Sequence, residues 1–178
     1  MNNTLIITGC AGFIGGTFTF KALSMGYKVV GVDSFINSNP STISKIAHKF
    51  PKTFKFVEED LAKSTNQLEQ NINDIDIDAV IHFAGLKAVG ESCDHPLDYY
   101  ENNVSGSVKL LKAMEAHNCK KIVFSSSATV YGAPQYLPLD EDHPVAPINP
   151  YGQTKIMVEN ILRDWAKEGR SATALRYF

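Results

Sequence analysis

Thr8-Gly9-Cys10-Ala11-Gly12-Phe13-Ile14-Gly15 follows the apolar run Leu5–Ile7 and opens a helical segment. Each glycine has a separate task. Gly9 permits a tight turn, Gly12 lets backbone approach a pyrophosphate, and Gly15 allows close packing of helix on strand. The helix start then offers unpaired N–H groups to an anion. Asp33 ends the next apolar run, Val29–Val32, roughly 20 residues further on. A carboxylate there can bond both hydroxyls of a ribose. Ser34 follows it rather than an arginine, which favours NAD over NADP. The alternative is a glycine-rich strand–helix turn that holds no ligand.

Working outward, four more short runs continue the pattern: Phe54–Val57, Ala79–Ala84, Ile122–Phe124 and Ala172–Leu175. Such runs read as buried parallel strands. Helix-length segments separate them. The clearest spans 97–117, with Val104, Val108, Leu111 and Met114 at three- and four-residue spacing. Another covers about 149–168, carrying Ile156, Val158, Ile161, Leu162 and Trp165. Alternating strands and helices predict a Rossmann-type, doubly wound parallel sheet of about six strands, with helices on both faces. The chain has 178 residues and no shift of composition, so one NAD-binding domain is expected over 1–178. Four prolines between Tyr136 and Pro150 mark an ordered surface loop.

Charge and composition exclude several classes. Lys plus Arg is 17 against 19 Asp plus Glu, leaving -2, so no basic excess is present to neutralise nucleic acid. Leu5–Gly16, the longest apolar stretch, is too short and glycine-rich to span a bilayer. No basic residue precedes it, so no signal peptide is expected. Cys10, Cys93 and Cys119 are odd in number and widely spaced. They suggest neither a metal site nor a disulfide framework, and a reducing, cytoplasmic setting is expected.

Tyr151 and Lys155 stand one helical turn apart on one face. A free tyrosine titrates near ~10, so it is a poor base at neutral pH. A neighbouring ammonium and a positive nicotinamide favour the phenolate. Bringing it near 7 takes about 4 kcal/mol. Alone, the pair also reads as an ordinary surface pair. Ser125, Ser126 and Ser127 close the fifth run, and ligands in such sheets bind at the carboxyl ends of strands. Ser127 can bond a substrate hydroxyl and relay its proton to the phenolate. Ser125 reads first as a turn former and stands among the candidate cofactor contacts. His82 reads as a satisfied core histidine. Glu91, His95, His117 and His143 have no readable partner and are expected at the surface.

These motifs together resemble the extended short-chain dehydrogenase/reductases, and among them the UDP-glucose 4-epimerase family. The resemblance runs in order through Thr8–Gly15, Asp33, Asp60-Leu61, His82–Ser92, Tyr100–Asn103, Ser125–Gly132, Asn149–Lys155 and Arg176-Tyr177-Phe178. His82–Ser92 is its most specific part. The resemblance implies that Gly9, Gly12, Phe13 and Ile14 hold the pyrophosphate and Asp33 the adenosine ribose, with Asn37 nearby. It implies that Asp60 and Leu61 flank the adenine, while Phe83, Ala84 and Lys87 meet the middle of the cofactor. Asn102 would approach the phosphates. Tyr151 would be the base, Lys155 would hold the nicotinamide ribose, and Tyr177 would lie beside the nicotinamide. Asp60 also reads as an N-cap for the segment after it. Asn102 sits within the predicted helix, where Asn is a poor helix former.

The implied activity interconverts UDP-glucose and UDP-galactose through a 4-keto sugar, with a UDP-sugar as partner and a homodimer through the helices near 97–117 and 149–168. A nucleotide-sugar 4,6-dehydratase is the rival enzyme. Its relatives place an Asp-Glu pair where this chain has Ala128 and Thr129, and neither does acid–base work at neutral pH. A non-catalytic NAD-binding protein is a further alternative, one that has no need of Tyr151, Lys155 and Ser127 together. Members of the family continue past the position of Phe178 into a smaller substrate domain. Weak NAD binding, little epimerisation and a tendency to associate are therefore expected of these residues alone.

Overall fold

The computed structural model describes residues 3–167 and 169–178. Six strands form one parallel sheet: β1 (Thr4–Thr8), β2 (Lys28–Asp33), β3 (Phe54–Glu58), β4 (Ala79–His82), β5 (Lys121–Ser127) and β6 (Ser171–Tyr177). Their order is β3-β2-β1-β4-β5-β6, and every pairing is parallel. Each apolar run of the sequence became a strand. The fourth stops at His82, two residues before its expected end. The sheet reverses direction of growth between β1 and β4, and this opens a crevice beyond their carboxyl ends.

Alternation along the strands divides the core into two. Leu5 and Ile7 of β1, with Val29 and Ile81, face α1 (Phe13–Ser24) and α2 (Pro40–Lys49), where Ala22, Leu23, Ile43 and Ile46 close the layer. Ile6, Val30, Val80 and Ile122 face the opposite way, because successive side chains of a strand alternate. There they meet Leu68 of α3 (Asn66–Ile72), while α4 (Val89–Asp94) and α5 (Pro96–Tyr99) pack on each other and on the helix that starts at Pro150. Leu110 and Met114 of α6 (Gly106–Ala116) and Val158 and Leu162 of α7 (Pro150–Trp165) complete that second layer. A fully buried side chain of this size contributes roughly 1.5–3 kcal/mol. The outer strands differ from the expectation of full burial. In β6, Thr173, Ala174 and Leu175 are exposed, and β3 buries only Val57. Both are the flanking strands of the sheet, with a neighbour on one side alone.

The helix expected over 97–117 is interrupted. A π-helical turn, Tyr100–Ser105, separates α5 from α6. It turns the Asn103 side chain inward, where the amide grips both backbone groups of Leu86. The periodicity of Val108, Leu111 and Met114 held for α6, but spacing alone does not register one wider turn. The helix expected at about 149–168 is α7, ending at Trp165. Glu168, the last residue of that expectation, lies outside the described residues. Asn149 caps α7 by accepting the Gly152 N–H at 2.8 Å, and Pro150 sits in its first turn.

Between Ser127 and α7 runs a short 3-10 turn, Ala128–Tyr131, followed by the proline-rich loop. The loop is closed at its neck. Ala146 N–H donates to Val130 O at 3.1 Å, and a Cβ on Gly132 would stand 2.0 Å from Ala146 O. Gly132 also has φ +68, so both the close approach and the backbone demand glycine there. His143 plugs this loop. It was expected at the surface, yet it is buried. Its Nε2 accepts the Gln135 N–H at 2.9 Å, and its ring packs on Tyr131 and Tyr136.

Candidate active site

One cavity of about 390 Å³ lies at the reversal point of the sheet. Its walls hold every candidate residue of the sequence. Gly9, Gly12, Phe13, Ile14 and Gly15 form one end. Asp33, Asn37, Asp60 and Leu61 form the side beyond β2 and β3. Phe83, Ala84, Lys87 and Asn102 stand in the middle. Ser125, Ser127, Tyr151, Lys155 and Tyr177 close the far end. Phe178, Ser38 and Leu86 also line it and were not anticipated.

The glycine turn is built by close contact. A Cβ on Gly15 would meet Gly9 O at 2.1 Å, and one on Gly9 would meet Ala84 N at 2.7 Å. The turn thus packs against its own first residue and against the end of β4. Asp33 is buried, and its carboxylate organises the neighbouring loops. It accepts Ala11 N–H at 2.9 Å, Phe35 N–H at 2.9 Å and the Ser38 hydroxyl at 2.7 Å. A carboxylate has about four lone-pair sites, so one acceptor position is left for a ligand hydroxyl. The N-cap reading of Asp60 needed adjusting. Its Oδ1 accepts Ala62 N–H at 3.0 Å and caps a turn, while the start of α3 is capped by buried Glu59 through Gln67 N–H and Leu68 N–H.

The far end is organised by α7. Tyr151 is fixed through its backbone: its N–H donates to Ser92 Oγ at 3.2 Å, and its C=O accepts the Thr154 hydroxyl at 2.7 Å. The Ser127 hydroxyl stands beside the Tyr151 phenol on the cavity wall and favours its phenolate. Burial pushes that phenol above its ordinary value, and the Ser127 hydroxyl offsets part of the rise. Desolvation is the larger of these two effects. Lys155 is buried, and its Nζ donates to Ser125 O at 2.8 Å. Ser125 is therefore a strand residue whose carbonyl holds the lysine, not a turn former. The ammonium also lies 5.6 Å from the centroid of the Tyr151 ring.

Desolvation lowers the Lys155 pKa from 10.5 to about 8. Between those values the unfolded chain binds more protons than the folded one, so stability rises with pH. The cost of burying the ammonium is full below 8 and fades towards 10.5. It amounts to roughly 3 kcal/mol. Lys155→Met should therefore gain most over the unsubstituted protein at neutral pH, and that advantage should shrink by about this amount at alkaline pH. Urea midpoints across the range measure it, and a difference that does not change with pH would contradict a desolvated ammonium.

His82 is buried and satisfied, as expected. Its ring nitrogens meet Thr8 Oγ1 at 2.6 Å and Ser107 Oγ at 2.9 Å. Burial first and Lys155 second lower its pKa to about 3, so it stays neutral. Glu91, expected without a partner, accepts the Tyr99 hydroxyl at 2.7 Å. His117 is half-buried, with Nε2 4.0 Å from Glu69 Oε2, and His95 is exposed. Asn103 was overlooked beside Asn102. It ties Leu86 of the cavity wall to Thr154 of α7 at 3.1 Å. Its buried amide within a polar helix segment carried no sequence signal that separates it from its neighbour.

Comparison with known proteins agrees with this geometry. Residues 6–178 match the family described as GDP-mannose 4,6 dehydratase. The UDP-glucose 4-epimerase of Bacillus subtilis is 46% identical over 176 residues, which cover 98% of this chain and 52% of that protein. The UDP-glucose 4-epimerase of Homo sapiens is 43% identical over 187 residues, with 100% and 53% covered. The crystal structure of the Bifidobacterium longum UDP-glucose 4-epimerase, in complex with NAD+ and UDP, superposes with a TM-score of 0.91 at 44% identity. It covers 98% of this chain, and 53% of that one is matched. The chain thus spans about half the length of the curated relatives it matches. A chain with this sheet order, this glycine turn and this tyrosine–lysine pair belongs to the family described as GDP-mannose 4,6 dehydratase, and its sequence and fold match those of UDP-glucose 4-epimerases over about half their length.

Proposed function

We propose that the protein interconverts UDP-glucose and UDP-galactose, with NAD held along the cavity and these residues supplying the cofactor site and the acid–base group. The observation that carries this reading is the single cavity joining the glycine turn and Asp33 to Ser127, Tyr151 and Lys155. The residues fit the cofactor. A Cβ on Gly9 or Gly15 would clash with the backbone that shapes the turn, and the Asp33 carboxylate keeps an acceptor for a ribose. Gly9, Gly12, Phe13, Ile14 and Gly15 would hold the pyrophosphate. Asp33 with Asn37 would take the adenosine ribose, and Asp60 with Leu61 the adenine. Phe83, Ala84, Lys87 and Asn102 would line the middle, with Ser125, Lys155 and Tyr177 around the nicotinamide half. NAD, when bound, supplies the hydride acceptor and donor for the sugar C4.

The protein's own part is proton transfer and position. Tyr151 takes the proton of the sugar 4-hydroxyl, directly or through Ser127, and returns it after the 4-keto sugar has turned over. The buried Lys155 ammonium beside the phenol stabilises the phenolate electrostatically. Dehydration is disfavoured by Ala128 and Thr129. The Thr129 hydroxyl is spent on Ser127 Oγ at 3.0 Å, and Ala128 has no proton to give. A homodimer through the helical region near 97–117 and 149–168, now α5 to α7, belongs to the same reading. So do a cytoplasmic setting, which the three unpaired cysteines support, and a place in galactose metabolism. No described helix is long and apolar enough to cross a membrane.

The test is calorimetric NAD binding to the protein, together with its conversion of UDP-galactose to UDP-glucose. NAD binding and epimerisation without release of a dehydrated sugar are expected. No NAD binding would overturn the cofactor site. A 4-keto-6-deoxy product would replace epimerisation by dehydration. Light scattering on the same sample reads the dimer, and a monomeric mass would remove it.

A further inference from the structure

We propose that Glu159 and Arg176 act as a positioning pair that holds Ser127, Tyr151 and Tyr177 in register, an inference that rests on the epimerase reading of the cavity. Glu159 lies on the same face of α7 as Tyr151 and Lys155, two turns beyond the tyrosine. It is buried, and nothing in the proton-transfer scheme uses it. Arg176 of β6 grips its carboxylate with a fork. Nε donates to Oε1 at 3.0 Å and Nη2 to Oε2 at 2.7 Å. Ser126 of β5 donates to the same Oε1 at 2.5 Å. The Arg176 guanidinium also lies over the Tyr131 ring, 4.9 Å from its centroid.

This ion pair therefore touches four elements, and each carries a cavity residue close by. Ser126 precedes Ser127. Tyr131 ends the 3-10 turn that starts directly after Ser127. Glu159 shares its helix with Tyr151 and Lys155. Arg176 precedes Tyr177. A buried ion pair is a weak source of stability, since apolar side chains of similar size serve as well. A planar fork fixes distance and angle together, which apolar contact does not. Here that constraint is applied where a phenol, a hydroxyl and a ligand must meet within hydrogen-bond reach. A displacement of about 1 Å in such a site can lower a rate about 100-fold.

The experiment compares Glu159→Gln, Arg176→Lys and the double variant Glu159→Gln/Arg176→Met. Glu159→Gln leaves a partly buried guanidinium without its countercharge, so it can fail by destabilisation alone. The double variant removes both charges and guards against that. Its urea midpoint and NAD affinity should match the unsubstituted protein. Its kcat should fall about 100-fold with KM for UDP-galactose unchanged. Its Tyr151 phenol, followed in the NAD complex by phenolate absorbance against Tyr151→Phe, should titrate higher as the Ser127 contact loosens. Arg176→Lys keeps the charge but not the fork, and should fall between. Full kcat in the double variant would overturn the proposal. So would losses in Glu159→Gln that track its midpoint and vanish in the double variant. If the unsubstituted protein binds NAD but does not epimerise UDP-galactose, the substrate reading fails separately. The Tyr151 titration then decides the pair, and an unmoved titration rejects it.

Discussion

Tyr151→Phe is expected to reduce epimerisation about 1,000-fold, within the range for loss of a general base, while NAD affinity stays close to that of the unsubstituted protein. The substitution removes one hydroxyl and keeps the ring. The backbone bonds that set the residue, to Ser92 and Thr154, do not involve that hydroxyl. No contact in the glycine turn or around Asp33 is disturbed. The pH profile carries a second signature. Because burial raises the phenol, activity of the unsubstituted protein should climb with pH as phenolate forms, and this limb should vanish in the variant. Rates by coupled assay across pH measure both. A Phe variant that turns over at the original rate would move the base elsewhere, with Ser127 the nearest candidate.

Asp33→Ala should weaken NAD about 100-fold by calorimetry, through two losses that act together. One is the acceptor for the ribose hydroxyls. Hydrogen bonds to a charged group are worth about 1.5–3 kcal/mol. The other is local. Ala11 N–H, Phe35 N–H and the Ser38 hydroxyl all lose their acceptor, and the buried Ala11 N–H costs about 1–3 kcal/mol when orphaned, the two part-buried donors less. Asp33→Asn should be milder, since its amide oxygen still accepts. Its new N–H₂ would face donors, so it should not be silent. An Ala variant with unchanged NAD affinity would remove Asp33 from the ribose site.

The sheet was legible because its strands carry short, apolar, β-branched runs, and Val29–Val32 and Ile122–Phe124 admit little else. The glycine turn was legible because each glycine answers a separate steric demand. Other features depend on partners distant in sequence. The π turn follows from Asn103 reaching Leu86, a contact between residues that no local period relates. His143 is buried by a loop folding over it, and prolines alone do not report that closure. Helices α2, α3 and α4 are short or weakly patterned, and α3 is capped by Glu59, seven residues before its first turn begins. The burial that raises the Tyr151 phenol was not legible, because a neighbouring cation is visible as a spacing, whereas desolvation is visible only in the packed molecule.

The neck between Val130, Gly132 and Ala146 separates two things that the chain order would otherwise couple. Ser127 and Tyr151 are joined through the proline-rich segment, yet the strap at its base fixes their spacing before the segment departs. Its outer part can then vary in length or sequence without transmitting that change to Ser127 and Tyr151. Evolution is left a freely editable loop between two residues whose own spacing is held at its neck.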